Sequence, residues 1–160
     1  METITCRREL RKFVVGKVLD VGIKDAFFWG GRKPDNVVGL DLKNYGFTDV
    51  IGDARALPFK DKSFDTVVMT EVIEHIPPED RDRVIQELQR VARKIIIISA
   101  PSREEINLHD NEEFNPHWRN PEWLFDLQSF VSLVQKFRGR KRVFRISNKF
   151  YEGFGAVIFL

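Results

Sequence analysis

The sequence predicts an α/β domain, a three-layer sandwich built on a mostly parallel sheet of roughly seven strands. Two apolar runs rich in β-branched residues, Asp65–Thr70 and Lys94–Ser99, show no polar alternation and therefore predict strands buried on both faces. Between them, apolar residues recur at helical spacing from Val84 to Ala92, which predicts the helix that connects two parallel strands. Polar residues follow the strands, at the edge where open α/β sheets bind ligands.

The composition is that of one ordinary domain spanning residues 1–160. Hydrophobic residues make up 42% of the chain and charged residues 31%, and no apolar run approaches the ~20 residues that cross a bilayer. The charged N-terminus lacks the apolar core of a signal peptide, so we expect a cytoplasmic protein without a membrane partner. The single cysteine, Cys6, excludes an internal disulfide, and three histidines without i, i+4 spacing predict that no metal is bound.

The first third of the chain predicts a short helix followed by two strands. A weakly amphipathic helix is expected over Cys6–Val15, and strands are expected at Lys17–Gly22 and Val37–Leu42. Between these strands, Asp25 is expected to cap a stunted helix that the Gly30-Gly31 pair ends.

The last third predicts a helix and a terminal hairpin. Pro101–Asn120 has no periodicity, which is typical of a functional loop, and we expect a mobile flap over the crevice. Asn120 and Pro121 then open a helix whose apolar stripe is more typical of a core than of a binding site. Lys141–Ile146 and Phe154–Leu160 predict two strands joined by a turn.

Basic residues concentrate in the predicted hairpin. Seven Lys or Arg residues and no acidic residue lie between Lys136 and Lys149, although the formal net charge of the chain is only +2. This pattern fits a solvated surface hairpin or a site for an acidic partner, with RNA the first candidate. The residues that would contact RNA are Arg138, Arg140, Lys141, Arg142 and Arg145.

Four short motifs stand in order around the central strand: Gly52–Ala54, Leu57–Phe59, Asp61–Asp65 and Glu74–His75. At these residues the chain resembles the class I S-adenosylmethionine-dependent methyltransferases, and most closely the type 11 group. The resemblance implies a Rossmann-like fold whose last strand is antiparallel, and S-adenosylmethionine as cofactor. Where the family commonly has Gly-x-Gly-x-Gly, this chain has Gly22-Ile23-Lys24-Asp25-Ala26, so only the first glycine is retained.

The resemblance also implies roles for individual residues. It places Asp20 and Gly22 near the methionine end of the cofactor, Asp41 on the ribose, Asp53 on the adenine amino group with the Ala54 backbone, and Glu71 beside the transferable methyl group. A carboxylate at position 41 offers two acceptor oxygens to two vicinal hydroxyls; alternatively, Asp41 merely ends a strand at a turn.

The catalytic candidates are Glu71 and His75. His75 is a potential general base or substrate-orienting group, but a histidine that starts a helix after a strand is equally often structural. Acidic residues at that place, including Glu71, are also favoured by the helix dipole alone.

Three functions compete. The leading hypothesis is a methyltransferase acting on an unidentified acceptor, with RNA or another macromolecule as candidates. The second is a cofactor-poor domain of the same fold that serves as a binding or regulatory module, which the missing glycines favour. The third, a nicotinamide dehydrogenase, is disfavoured because Gly-x-Gly-x-x-Gly is absent. A domain this short predicts an open crevice, which suits a large substrate, an oligomer or a partner subunit that completes the site.

Overall fold

The computed structural model describes residues 1–104 and 121–160. Its strands are β1 (Glu2–Ile4), β2 (Val18–Val21), β3 (Val37–Asp41), β4 (Val50–Ile51), β5 (Phe64–Thr70), β6 (Ala92–Pro101), β7 (Arg140–Asn148) and β8 (Tyr151–Phe159). Its α-helices are α1 (Arg81–Val91) and α2 (Leu127–Gln135), and its 3-10 helices are Arg7–Phe13, Phe27–Trp29, Ile73–His75, Pro78–Asp80 and Pro121–Trp123. None of the helices in the described ranges has the length and apolar composition needed to cross a bilayer.

The strands form one mixed sheet in the order β1-β7-β8-β6-β5-β2-β3-β4. Strands β6, β5, β2, β3 and β4 are parallel, while β8 runs antiparallel to β6 and β7, so the predicted C-terminal hairpin is confirmed. The sheet has eight strands rather than seven because Glu2–Ile4 pairs parallel with β7. Three largely exposed residues carry too little apolar pattern to predict a strand.

The strand β6 lies in the middle of the sheet, as its apolar run predicts. It is parallel to β5 and antiparallel to β8, and the antiparallel neighbour is the one that the family resemblance implies. The run is apolar because both faces of the strand are buried, and burial does not depend on the direction of the neighbouring strand. The central strand β5, after which Glu71 follows, is flanked by parallel strands on both sides, as are β2 and β3.

The two faces of the sheet are covered differently. Alternate residues point to opposite faces, so Val67 and Met69 pack with α1 and α2, whereas Val68 packs with the two 3-10 helices Arg7–Phe13 and Phe27–Trp29. The third layer of the sandwich therefore consists of 3-10 helices. The stunted helix forms where it is predicted, as a 3-10 turn that Gly30 ends at φ +77°. Its cap position is Ala26 rather than Asp25, although the Asp25 carboxylate accepts the Phe27 N–H at 3.1 Å.

The helix predicted from Pro121 is two separate pieces. A 3-10 turn ends at Trp123, Phe125 forms a bridge to Ser102, and α2 begins only at Leu127. Asp126 caps α2, since its carboxylate accepts the Ser129 N–H at 2.7 Å. The bridge pulls the chain out of helical conformation, which side-chain periodicity cannot reveal. Asn120 and the predicted flap, apart from residues 101–104, lie outside the described residues.

Candidate active site

The predicted site residues follow neighbouring parallel strands at one edge of the sheet. Gly22 follows β2, Asp41 ends β3, Asp53 lies just after β4, and Glu71 directly follows β5. Strand register places these ends side by side, because Val21 pairs with Leu40 and Asp41 pairs with Ile51. The carboxyl edge of the sheet therefore gathers the polar groups that the sequence places there.

The loop after β2 keeps a glycine-like backbone despite its missing glycines. Gly22, Lys24 and Ala26 occupy the three glycine positions of the family pattern, and their φ angles are +80°, +43° and +56°. At Gly22 a side chain is excluded, since a Cβ atom would lie 2.3 Å from a methyl carbon of Val72. Two non-glycine residues are thus held in the left-handed region, a strain typical of functional sites.

Asp41 is oriented by two backbone N–H groups. Its Oδ2 accepts the Lys24 N–H at 3.0 Å and its Oδ1 accepts the Leu42 N–H at 2.8 Å. A carboxylate has about four acceptor positions, so each oxygen retains a position for another donor. Half-buried at the end of β3, this carboxylate is able to accept two hydroxyl groups.

Asp20 is buried beneath the same loop. Its Oδ2 accepts the Trp29 indole N–H at 2.7 Å, and the residue is 2% exposed. Burial, with a smaller contribution from the charge of Asp41, raises the pKa of Asp20 to about 7, although the hydrogen bond from the Trp29 indole N–H opposes the rise. Asp20 thus supports the loop from below; direct contact with a cofactor stays a prediction, since Trp29 occupies one carboxylate oxygen.

Asp53 is engaged by a residue that the sequence analysis did not identify. Arg55 donates to it from the backbone N–H (2.8 Å), Nε (3.0 Å) and Nη2 (2.7 Å), and its Nη1 donates to Asp80 at 2.8 Å. The hydrogen bonds from Arg55 hold the pKa of Asp53 below its ordinary value. The adjacent Ala54 is buried at 7% exposure. Adenine recognition by Asp53 and Ala54 stays a prediction.

Glu71 is the centre of a hydrogen-bonded cluster. Ser99 Oγ donates to its carboxylate at 2.7 Å, the Tyr151 hydroxyl lies 2.8 Å from both carboxylate oxygens, and Arg7 Nη1 lies 4.0 Å away. Burial, followed by the charge of Glu71, raises the pKa of Tyr151 well above its ordinary value, so this hydroxyl remains a donor. Glu71 itself adopts φ +57°, which adds strain at the end of β5.

His75 lies in the 3-10 helix that follows Glu71. Its Nε2 is 3.6 Å from Glu74 Oε1, and its side chain is 31% exposed. Glu74 is almost completely buried, and burial together with the charge of Glu71 raises its pKa well above the ordinary value. The catalytic roles assigned to Glu71 and His75 remain predictions. Within residues 1–104 and 121–160, no three His, Cys, Asp or Glu side chains are grouped to hold a metal.

The partners of Glu71 come from distant parts of the chain. Arg7 belongs to the N-terminal 3-10 helix, Ser99 to β6 and Tyr151 to β8. In space, Gly153 is essential to the position of Tyr151: a Cβ atom on this glycine would lie 2.4 Å from the tyrosine hydroxyl oxygen and 2.7 Å from the Ala100 carbonyl oxygen. The glycine two residues after the tyrosine therefore makes room for this hydroxyl.

The basic strand of the hairpin, β7, lies inside the sheet rather than at its edge, between β1 and β8. Several of its charges are already engaged: Arg142 pairs with Glu2 at 2.7 Å, Arg145 pairs with Glu152 at 3.2 Å, and Arg140 stacks 4.6 Å over the Phe159 ring. Binding of RNA through this hairpin stays a prediction.

Comparisons with known proteins agree with this arrangement. A family model described as "Methyltransferase domain" matches residues 33–97, a range that contains Asp41, Asp53, Ala54, Glu71 and His75 but not Asp20 or Gly22. Norajmaline N-methyltransferase from Rauvolfia serpentina is 43% identical over 56 residues, which are 33% of this chain and 18% of that protein.

Solved structures resemble the whole fold. A SAM-dependent methyltransferase from Aquifex aeolicus superposes with a TM-score of 0.66 at 18% sequence identity, and the match covers 95% of this chain and 87% of the Aquifex chain. A Thermotoga maritima protein described as a "possible histamine N-methyltransferase" also has a TM-score of 0.66 at 18% sequence identity, and the match covers 96% of this chain and 86% of the Thermotoga chain. The chain therefore has the fold of S-adenosylmethionine-dependent methyltransferases and matches a methyltransferase family model over residues 33–97, and S-adenosylmethionine is the cofactor that this similarity implies.

Proposed function

We propose that this domain binds S-adenosylmethionine at the carboxyl edge of β2, β3 and β4 and transfers its methyl group to an acceptor. The observation that carries the proposal is the loop after β2, where all three family glycine positions adopt positive φ although two are Lys24 and Ala26. Such strain costs of the order of 1–3 kcal/mol per residue and persists where the surrounding structure demands that backbone.

The residues present fit the cofactor at its ribose end. Asp41 presents two oriented carboxylate oxygens, each with a remaining acceptor position. Gly22 keeps the loop close to the strand end. The methionine end differs from the family pattern, because Asp20 is covered by Trp29 and Lys24 adds an exposed side chain.

When bound, the cofactor supplies a methyl group on a positively charged sulfur, which is already a good leaving group. The chain's own residues therefore act mainly by positioning and by excluding water. Glu71, held by Ser99 and Tyr151, places a negative charge beside the crevice. A nitrogen acceptor is favoured, because the Rauvolfia relative is named as an N-methyltransferase and the Thermotoga protein is described as a possible one.

Calorimetric titration with S-adenosylmethionine and S-adenosylhomocysteine tests the proposal. Hydrogen bonds to a charged acceptor contribute roughly 1.5–3 kcal/mol, so Asp41→Ala is expected to weaken binding by about tenfold or more. Asp35→Ala removes an exposed aspartate from the turn before β3 and serves as the matched control. Asp41→Asn keeps one carbonyl acceptor and distinguishes loss of the ligand contact from collapse of the loop.

Two results contradict the proposal in different ways. If the wild-type protein shows neither heat nor thermal stabilisation with millimolar ligand, the domain is a cofactor-free binding or regulatory module. If the wild type binds and Asp41→Ala binds equally well, the ribose lies elsewhere.

A further inference from the structure

The guanidinium group of Arg7 lies between two aromatic rings and a carboxylate. Its Cζ is 4.2 Å from the centre of the Phe27 ring and 5.8 Å from that of Tyr151, and its Nη1 is 4.0 Å from Glu71 Oε2. Aromatic faces and a carboxylate together attract a cation. We call Phe27, Tyr151 and Glu71 the cation cage.

Two members of the cage, Glu71 and Tyr151, are held in place without help from Arg7. Hydroxyl groups of Ser99 and Tyr151 donate to the Glu71 carboxylate at 2.7 and 2.8 Å. These bonds fix the carboxylate and the tyrosine ring relative to each other, and the absence of a side chain on Gly153 leaves room for the ring. A preorganised site of this kind loses little entropy when a ligand binds.

The Arg7 guanidinium group makes few hydrogen bonds in this cage. Its Nε is buried and finds no hydrogen-bond partner among the described residues, and its contact with Glu71 is an ion pair at 4.0 Å rather than a hydrogen bond. A second buried atom, Oε2 of Glu74, also finds no hydrogen-bond partner in the described part of the chain, and Glu74 is 1% exposed. Unsatisfied buried donors and acceptors are costly and call for an explanation.

Glu74 belongs to the same electrostatic environment. The charges of Arg7 and Glu71 both act on its pKa, and its own charge acts on that of Tyr151. The charge of the cation that occupies the cage therefore also acts on Glu74.

We propose that the cation cage binds the methyl acceptor of this domain and that this acceptor carries a cationic nitrogen group, an alkylammonium or a guanidinium. When no acceptor is bound, the Arg7 side chain occupies the cage instead. The acceptor role rests on the proposed function, whereas the cage is a property of the fold. The cage lies at the carboxyl end of β5, and Val72, next to Glu71, contacts Gly22 of the cofactor loop.

Opening the cage requires only the Arg7 side chain to rotate. Its 3-10 helix is anchored by Leu10, which is fully buried, while the neighbouring Arg8, Arg11 and Lys12 already extend into solvent. Methyl transfer requires the acceptor nitrogen to release one proton to water first. Its lone pair then forms the bond to the methyl carbon as the carbon–sulfur bond breaks and its electron pair returns to sulfur.

Titration with small cations, followed by nuclear magnetic resonance of ¹⁵N-labelled protein, tests the inference. Methylguanidinium and ethylammonium are the probes, and urea is the neutral control. In the wild type, methylguanidinium is expected to shift the Arg7 Nε–H signal. Arg7→Gln removes the internal competitor and is expected to bind methylguanidinium about tenfold more tightly than the wild type.

Two variants make the test specific. Arg8→Gln removes the same charge from the same helix and from the same Phe27 ring, at 5.3 Å, and should bind like the wild type. Adding Glu71→Gln to Arg7→Gln keeps the shape of the cage and should abolish the gain. The inference is overturned if Arg7→Gln binds no more tightly than the wild type, or if urea binds as well as methylguanidinium.

Cofactor titrations on the same samples separate this inference from the proposed function. Binding of both cofactor and cation supports both. Cofactor binding without cation binding overturns the cage as an acceptor site and leaves the methyltransferase proposal standing. Cation binding without cofactor binding overturns the proposed function, and the acceptor role of the cage with it.

Discussion

Replacing Lys24 by glycine is expected to stabilise the domain. Lys24 is exposed and adopts φ +43°, a conformation that costs an L-residue roughly 1–2 kcal/mol and glycine nothing. Its hydrogen bond to Asp41 comes from the backbone N–H and therefore survives the substitution. Glycine also has more freedom in the unfolded chain, which offsets roughly 0.4–1 kcal/mol of this gain.

The net gain in the free energy of unfolding is thus between zero and about 1.6 kcal/mol, with a central value of about 0.8 kcal/mol. For a domain of this size, that corresponds to a rise in Tm of roughly 1–4 °C. Urea denaturation and thermal unfolding, both monitored by circular dichroism, measure the two quantities. Lys43→Gly is the matched control: Lys43 is equally exposed but has no positive φ, so glycine there should only destabilise the domain.

The reasoning is refuted if Lys24→Gly is destabilised as much as Lys43→Gly. In that case the loop after β2 does not hold residue 24 in the left-handed region. A second measurement concerns ligand affinity. The substitution restores a family glycine, so S-adenosylmethionine should bind Lys24→Gly at least as tightly as it binds the wild type.

Two further predictions concern charge. The pKa of the Asp20 carboxyl group rises from 3.8 to about 7 on folding, so this group stabilises the fold below pH 4 and the contribution is lost as the pH rises towards 7. In urea titrations at several pH values, Asp20→Asn should remove up to about 4 kcal/mol of that pH dependence. If the free energy of unfolding of the two proteins varies with pH in parallel, the burial argument is contradicted. If the basic hairpin binds RNA, the affinity should fall by roughly 0.7–0.9 log units per phosphate contact for each log unit of salt concentration. At low salt, the double variant Arg140→Glu with Arg142→Glu should bind labelled RNA far more weakly than the control double variant Lys43→Glu with Lys60→Glu. If both double variants bind RNA equally well, the hairpin does not have this role.

The sequence predicts the sheet well where burial alone decides the pattern. Asp65–Thr70 and Lys94–Ser99 are apolar because both faces of β5 and β6 are covered, and both strands are found. It also places Asp41, Asp53 and Glu71 at one edge, because parallel strands joined by crossovers present their carboxyl ends together. Strand direction is not encoded in apolarity, so the antiparallel last strand beside β6 was expected from the family resemblance and not from the apolar pattern.

Local turn chemistry is equally visible in the sequence. Asp25 and Gly30 predict the short 3-10 helix after β2, because a carboxylate accepts an N–H group of the turn and a glycine ends it. The start of α2 was misplaced, since the bridge between Ser102 and Phe125 is a contact between distant residues.

By itself, the sequence determined the fold class, the family resemblance and the edge at which the site lies, because these follow from periodicity and from short motifs. Only the tertiary structure decided how the site residues are partnered: Trp29 on Asp20, Arg55 on Asp53, and Ser99, Tyr151 and Arg7 around Glu71. The physical reason is that hydrogen bonds and cation–π contacts depend on side-chain positions in space. Tyr151 and Glu71 are 80 residues apart along the chain, and nothing in the sequence near either residue specifies that they meet.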